Sequence, residues 1–529
     1  MKFGRKMKNV LALACAVVLT VGVLAGCGGD KAATTDGEKK VSMFMSFAAS
    51  TPGLAENIQD SQFAKELQAK SGIEIEFIQP AGSGLAEQFN LICASEDMPD
   101  LVQYNWTSYP GGMGKAISDG TVIDLNEYKK QMPDLIKYLD EHPSTKAQVT
   151  TIEGQLPAAP FIRGDESLYT SNGVAIRKDW LADLGLELPE TIEEWEVVLT
   201  AFKEKKGATA PLQIDMSAFK LGYFASGFDT IYNYYREGEE IKHGVLDAGF
   251  KDFLACMADW YEKGLIGSSW NSIDSATKDA NLLNGKTGAM NMSVGGGIGK
   301  YMTNATEEGF ELTGALPVTS QKGTLGKFGN REAEITQITQ GWTAATTSAL
   351  ANIDATLELL NYGYTEEGGN IYNFGKEGES YNWVDGYPQY TELITNNPDG
   401  YAMSTMLGQY CCSYSGGPFV QDKRYMEQYG GRPQQREAWH NWEQSRMADH
   451  SLPILSMYFT NDEQTEFKKI SADTQTYMDE IIQKIILGTL PIDAYDEMVT
   501  ELKARGIDRS IELQQNAYNR YLEALKSLS

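Results

Sequence analysis

The chain has four histidines, His142, His243, His440 and His450, and none stands in the H-E-x-x-H spacing that puts two zinc ligands on one helical face. No G-x-S-x-G occurs, so a nucleophilic serine on a strained turn is not indicated. Gly285, Lys286 and Thr287 look like the end of a phosphate-binding loop, but position 280, where that pattern needs glycine, is Ala280, and the run reads as a turn before a strand. Gly295, Gly296, Gly297 and Gly299 do not complete G-x-G-x-x-G, because position 300 is Lys300; they mark a place where backbone approaches something closely. The 72 acidic residues supply chance carboxylate pairs, so spacing alone leaves a two-carboxylate glycosidase as an alternative. No D-x-[DN]-x-[DN]-G loop is present; no metal or other cofactor is expected, with a calcium site built from distant residues left open. No catalytic residue is assigned.

The residue types that stand out are aromatic, which suits binding: flat rings stack on an apolar ligand face while neighbouring Asn, Asp, Gln and Arg meet its polar groups. Trp106 and Tyr109 lie in a polar loop just past a strand, and Phe47 ends another strand. Trp270 sits in Ser268 to Ser272, Tyr381 and Trp383 in a turn-rich segment ending at Gly386, and Tyr414 in Cys412 to Gly417. These are the candidate ligand-binding residues. Trp180, Trp195 and Trp260 stand at helical spacing and read as core, and Arg177, just before Asp179, reads as a structural ion pair.

Loops must be held by elements, and 529 residues with 42% apolar content suffice for two or three globular units. A formal charge of −27 without a basic patch argues against nucleic acid. Lys2, Arg5, Lys6 and Lys8 precede an apolar run, Val10 to Leu24, that is short for a spanning helix and reads as a secretory leader. It ends in Leu24-Ala-Gly-Cys27, which resembles the lipobox of bacterial lipoproteins. Residues 1–26 are thus expected to be a signal peptide, Cys27 the lipidated first residue, and 27–39 a flexible tether holding the protein at the extracellular face of the cell membrane. Cys93, Cys256, Cys411 and Cys412 are too few for a disulfide framework and are expected as free thiols.

Strand signals at Lys40 to Phe47, Ile73 to Phe77 and Leu101 to Tyr104 alternate with helical faces at Asp60 to Lys70 and Leu85 to Ile92. The order β-α-β-α-β is that of a parallel sheet covered by helices, in which ligands bind beyond the carboxyl ends of the strands. Further strands are expected at Val174 to Arg177, Lys286 to Met292 and Glu334 to Thr346, helices at Asp179 to Leu184 and Phe250 to Lys263, and a capping box at Thr191 and Glu194. From Ser471 the chain reads as packing helices.

The lipobox and tether, Met98-Pro-Asp100, Ile176 to Gly185 (IRKDWLADLG), Trp260 to Ile266 (WYEKGLI), Tyr364 to Gly368 (YTEEG), Gly488 to Asp493 (GTLPID) and Ala517 to Tyr521 (AYNRY) together resemble the long extracellular solute-binding lipoproteins of Gram-positive carbohydrate ABC importers. The resemblance implies an α/β, two-lobed periplasmic-binding-protein-like fold of class II, each lobe a mostly parallel sheet flanked by helices, with extra C-terminal helices. It implies that residues 40–529 form two discontinuous lobes: one from roughly 40–160 and part of 300–400, the other from roughly 175–300 and much of 400–529. It also implies that Trp342 lies on a strand bordering the cleft. The function implied is capture of an oligosaccharide or sugar derivative and its delivery to a permease, without catalysis. The expected partners are that ligand, the ABC permease subunits and the membrane through acyl chains alone, with the protein a monomer. The alternatives are a surface carbohydrate-active hydrolase and a peptide-binding protein on the same scaffold.

Overall fold

Val41, Met43 and Phe44 are buried and Lys40 is exposed, so the first strand, β1 (Lys40–Phe44), turns its apolar side chains inward. The computed structural model describes residues 39–528 apart from 48, 81–83, 330–334, 336–340 and 445–449. The expected leader, the expected lipidation site Cys27 and the expected tether up to Glu38 lie outside the described residues. The first helix, Gln62–Ser71, starts where the Ser61 hydroxyl accepts the amide of Ala64, ends at Gly72 in the left-handed region, and buries Phe63, Ala64 and Leu67 on one face. Along the chain follow β2 (Glu74–Ile78), β3 (Leu101–Tyr104), β4 (Ala159–Pro160), β5 (Ile162–Arg163), β6 (Asn172–Arg177), β7 (Leu212–Gln213), β8 (Tyr234–Glu237), β9 (Glu240–His243), β10 (Ala289–Ser293), β11 (Leu312–Gly314), β12 (Trp342–Ala345), β13 (Tyr381–Val384), β14 (Tyr387–Tyr390) and β15 (Val420–Gln421).

Two sheets carry the architecture. The first has the order β2-β1-β3-β12-β4, in which all strands but β12 run parallel. The second has the order β11-β6-β10-β7, in which β6 alone is reversed. Each is thus mostly parallel with one strand reversed. The strand expected over Glu334 to Thr346 is shorter than its pattern: β12 starts at Trp342, Ile335 makes an isolated bridge to Ile162, and residues 336–340 lie outside the described residues.

Helices cover both sheets, and the interior divides into three apolar clusters. One lies around the first sheet, with Val41, Leu101, Ala344 and Leu357. A second lies on one face of the second sheet, where Val174 and Ile176 meet Trp195, Phe202, Phe253 and Trp260. A third packs Ala175, Met290, Met292 and Leu312, from the opposite face, against Phe374, Tyr425, Tyr429 and Trp442. Strand periodicity explains the split, since successive side chains of β6 point to opposite faces.

Local signals behave as their chemistry requires. The Thr191 hydroxyl accepts the Glu194 amide, but the Glu194 carboxylate reaches the amide of Glu190, so the expected capping box is half formed. Arg177 is fully buried, pairs with Asp179 and Glu307, and lies 4.4 Å from the ring centres of both Trp180 and Phe310. The four thiols Cys93, Cys256, Cys411 and Cys412 are free, and burial raises each pKa, to about 12 for Cys93 and Cys256 and about 11 for Cys411.

The C-terminal helices begin earlier than the expected Ser471. Thr460 and Glu463 form a reciprocal capping box for the helix Asn461–Ile486, which at 26 residues runs about 39 Å. Its first half sets Phe467 against the first core and its second half buries Met478, Ile482 and Ile485 in the second. Near its start Lys468 donates to the carbonyl of Tyr109 at 2.8 Å. The helix Ile507–Leu528 repeats the pattern in reverse: Ile507 belongs to the second core, and Leu513, Ala517 and Tyr521 to the first.

Candidate functional site

The path of the chain between the sheets fixes where a ligand could sit. β4 ends at Pro160 and passes through residues 161–171 into the start of β6; β11 ends at Gly314 and passes through 315–341 into the start of β12. Because β6 is reversed, its first residue, Asn172, lies opposite Ser293 at the end of β10. Because β12 is reversed, Trp342 lies opposite Tyr104 and Pro160, at the ends of β3 and β4. Both crossings therefore join the carboxyl edge of one sheet to the carboxyl edge of the other. Those edges are the ligand-binding side of such sheets. The two crossings meet where Ile162 bridges Ile335, and β5 of the first crossing also pairs with β15 from further along the chain.

At the first edge, Ser46 and Phe47 follow β1 and line a small cavity with Ile58, Cys412, Tyr414 and Ser415. The Tyr414 hydroxyl donates to the Ser404 carbonyl at 2.9 Å, its ring stacks 6.2 Å from Tyr429, and burial holds its pKa above the usual range. Gly295 is what lets Tyr429 approach, since a Cβ there would stand 1.8 Å from that ring. The close approach expected of this glycine run is real, although the run forms a helical turn, Val294–Gly299, and not a loop.

At the second edge a small cavity, open to solvent, is walled by Gly173, Trp195, Tyr223, Val318, Phe328 and Trp442. The Trp442 indole lies against Gly173 and Gly314, where a Cβ would meet it at 2.4 and 2.7 Å, and its N–H donates to the Val174 carbonyl at 3.1 Å. Phe328 packs against Tyr235 and His450, with ring centres 4.8 and 5.0 Å away. On the crossing between the edges, burial alone would raise the Asp165 carboxyl, but hydrogen bonds from Ser167 and Lys423 bring its pKa below the ordinary value.

The aromatic residues expected to face ligand divide sharply. Phe47 and Tyr414 are brought together at the first edge, both partly exposed. Trp106 is 1% exposed: Asn105 caps the 3-10 turn Trp106–Ser108, which folds the indole back so that its N–H donates to the Val102 carbonyl. Tyr109 is buried beside it, with its hydroxyl in contact with Thr121 and Asp119. Trp342 is fully buried in the first core, and Trp270 is buried against Phe219 in the second. Trp106, Tyr109, Trp270 and Trp342 are thus core side chains in this structure, because their rings are used for packing. Tyr381 is buried against Phe374, and Trp383, 39% exposed, stands with it on a groove lined by Glu66, Lys70 and Glu367 that shares no residue with either edge. Sequence reasoning passed over Tyr223, whereas its core reading of Trp195 holds, the ring being fully buried in the second core; Gly173 and Gly314, single glycines in strands, were the signal that a ring comes close to this edge. Among the described residues, no three His, Cys, Asp or Glu side chains are arranged to hold a metal, and no helix is long and apolar enough to cross a membrane.

Two carboxyl edges joined by chain crossings, with rings at each, suit reversible capture of a solute. The family model described as "Bacterial extracellular solute-binding protein" matches residues 52–370, more than half of the chain. The chain belongs to that family. It is a binding protein and not an enzyme. It is 29% identical over 302 residues to the fructooligosaccharide ABC transporter substrate-binding protein FusA of Streptococcus pneumoniae, covering 50% of this chain and 55% of that protein, so it spans about half the length of FusA. To lipoprotein LipO of Bacillus subtilis it is 24% identical over 419 residues, 74% of this chain and 77% of that protein. Among solved structures, alginate-binding protein AlgQ2 superposes with a TM-score of 0.74 at 24% identity, over 92% of this chain and 99% of that one. The S. pneumoniae FusA complex with kestose gives 0.73 at 19% identity, over 92% and 100%. The fold is accordingly that of a two-lobed solute-binding protein.

Proposed function

We propose that this protein is the lipid-anchored substrate-binding component of an ABC importer, and that it captures an oligosaccharide between the two carboxyl edges and presents it to a permease. The observation that carries this is the pair of ring-lined edges joined by chain crossings. Phe47 and Tyr414 on one side and Tyr223 on the other, all half-buried, offer faces for sugar C–H surfaces. Ser46, Ser415 and Asn172 stand beside them as polar neighbours. The names of the relatives support the cargo class: FusA is described as binding fructooligosaccharide and YtcQ of Bacillus subtilis as binding polygalacturonan or rhamnogalacturonan. In this reading lobe 1 is built on the first sheet and lobe 2 on the second, ligand draws them together about the crossings, and Cys27 carries the acyl chains that hold the monomer at the outer face of the membrane.

The test is a thermal-shift screen of residues 28–529 against fructo-, xylo-, chito- and galacturono-oligosaccharides, with peptides as a separate arm and the ligand checked for cleavage afterwards. Ligand at 100 times its Kd adds about 2.7 kcal/mol to the native state. A rise with one glycan class, the glycan intact, supports the proposal. A response to peptides with silence across glycans overturns it.

A further inference from the structure

We propose that the cavity at the second edge receives an acyl group of the cargo, an acetyl ester or acetamide carried on a sugar ring. This rests on the oligosaccharide reading above and names a chemical feature of its ligand. The walls are rings and aliphatic groups: Trp195, Tyr223, Phe328, Trp442, Pro317 and Val318. Polar groups on these walls are already used inside the protein. The Ser226 hydroxyl donates to the Val318 carbonyl at 2.6 Å, the Trp442 N–H to the Val174 carbonyl, and the Asn172 amide to the Ser171 hydroxyl at 2.9 Å. An unsubstituted sugar ring pushed into this space would strip water from its hydroxyls with nothing to replace it.

One donor differs. The Trp195 indole N–H is buried and has no acceptor among the described residues. Natural proteins seldom leave such a group unsatisfied. An acyl group matches both properties of the cavity: its methyl meets the rings, and its carbonyl oxygen is an acceptor for an indole N–H. The sugar ring then stays at the mouth, where Asn172 and Tyr223 lie and where the edge opens to the crossings. Glycine at 173 belongs to the same design, since any side chain there would displace the Trp442 wall.

The experiment compares binding of acetylated xylo-oligosaccharides with the same material after alkaline deacetylation, and of chito-oligosaccharides with glucosamine oligomers, by titration calorimetry. One arm reads the ester and the other the acetamide. The acylated member of at least one pair should bind about tenfold or more tightly than its partner, the discrimination a small apolar group supplies in an apolar pocket. W195F, which keeps a ring and removes the N–H, and L316D, at the half-buried rim, should each erase most of that preference, read as the ratio of the affinities for the two members of a pair within the same variant. Equal affinity for acylated and deacylated forms, or tight binding of an acyl-free fructo-oligosaccharide that L316D does not alter, overturns this proposal and leaves the oligosaccharide reading standing. Silence of every glycan overturns the reading itself, and this proposal with it.

Discussion

His243 closes β9 with its ring buried, edge-on to Tyr234 at 4.5 Å, and its Nδ1 accepts the amide of Val245 at 3.3 Å. Burial lowers its pKa from 6.5 to about 3, so the folded protein holds it neutral. The unfolded chain protonates it below about pH 6.5, hence the unfolded state binds more protons between pH 6.5 and 3 and stability falls as pH falls through that window. At pH 4.5 the folded ring is still neutral, and the loss relative to pH 7.5 is about 2.7 kcal/mol from this residue alone. Urea unfolding followed by tryptophan fluorescence at the two pH values measures it. H243N keeps an acceptor for Val245 and removes the titration. Carboxylates held down by partners, such as Asp215 against Lys278, act equally in both proteins and cancel. The wild type should therefore lose about 2.7 kcal/mol more than H243N on acidification, and equal losses would refute the argument.

Replacing Arg177 by Met should cost about 3 kcal/mol in denaturant unfolding, because it leaves the Asp179 and Glu307 carboxylates without their shared cation; R177K should recover little, since the planar fork between Trp180 and Phe310 is lost. G295A should destabilise by about 1–3 kcal/mol through displacement of Tyr429, read as a lower midpoint at unchanged slope. Y223A and Y414A should each weaken binding of the glycan found in the screen by about tenfold with far-UV circular dichroism unchanged, whereas W270A should unfold the protein at much lower denaturant, as a core truncation does.

The beginning of the first sheet was legible because β1, β2 and β3 carry their own signals, apolar alternation broken by helices, the first ending at Gly72 and the second at Cys93, short of Met98-Pro99-Asp100. The partner of β3 was not, since β12 comes from far along the chain and pairs through backbone atoms that any sequence possesses. The same limit governs the site. A ring placed after a strand is visible in the sequence, but its direction depends on one turn: Asn105 caps its neighbours and sends Trp106 back to Val102. Phe47 and Tyr414, both singled out by their polar neighbours in the sequence, do come together in one small cavity. The place of Phe328 was not readable, because Tyr235 and His450, the residues that hold it at the edge, are distant in sequence. The reciprocal cap at Thr460 and Glu463 was a readable signal for the long helix and was overlooked in favour of the apolar periodicity further on.

The helices Asn461–Ile486 and Ile507–Leu528 each deposit side chains in both the first and the second core, and this ties the end of the chain to the integrity of everything before it. A chain that stops at Ile507 lacks Leu513, Ala517 and Tyr521, without which the first core, begun at β1, has an open flank. Dividing the molecule into two separately expressed halves should accordingly yield insoluble pieces, whereas the joined pair rises and falls as one cooperative body.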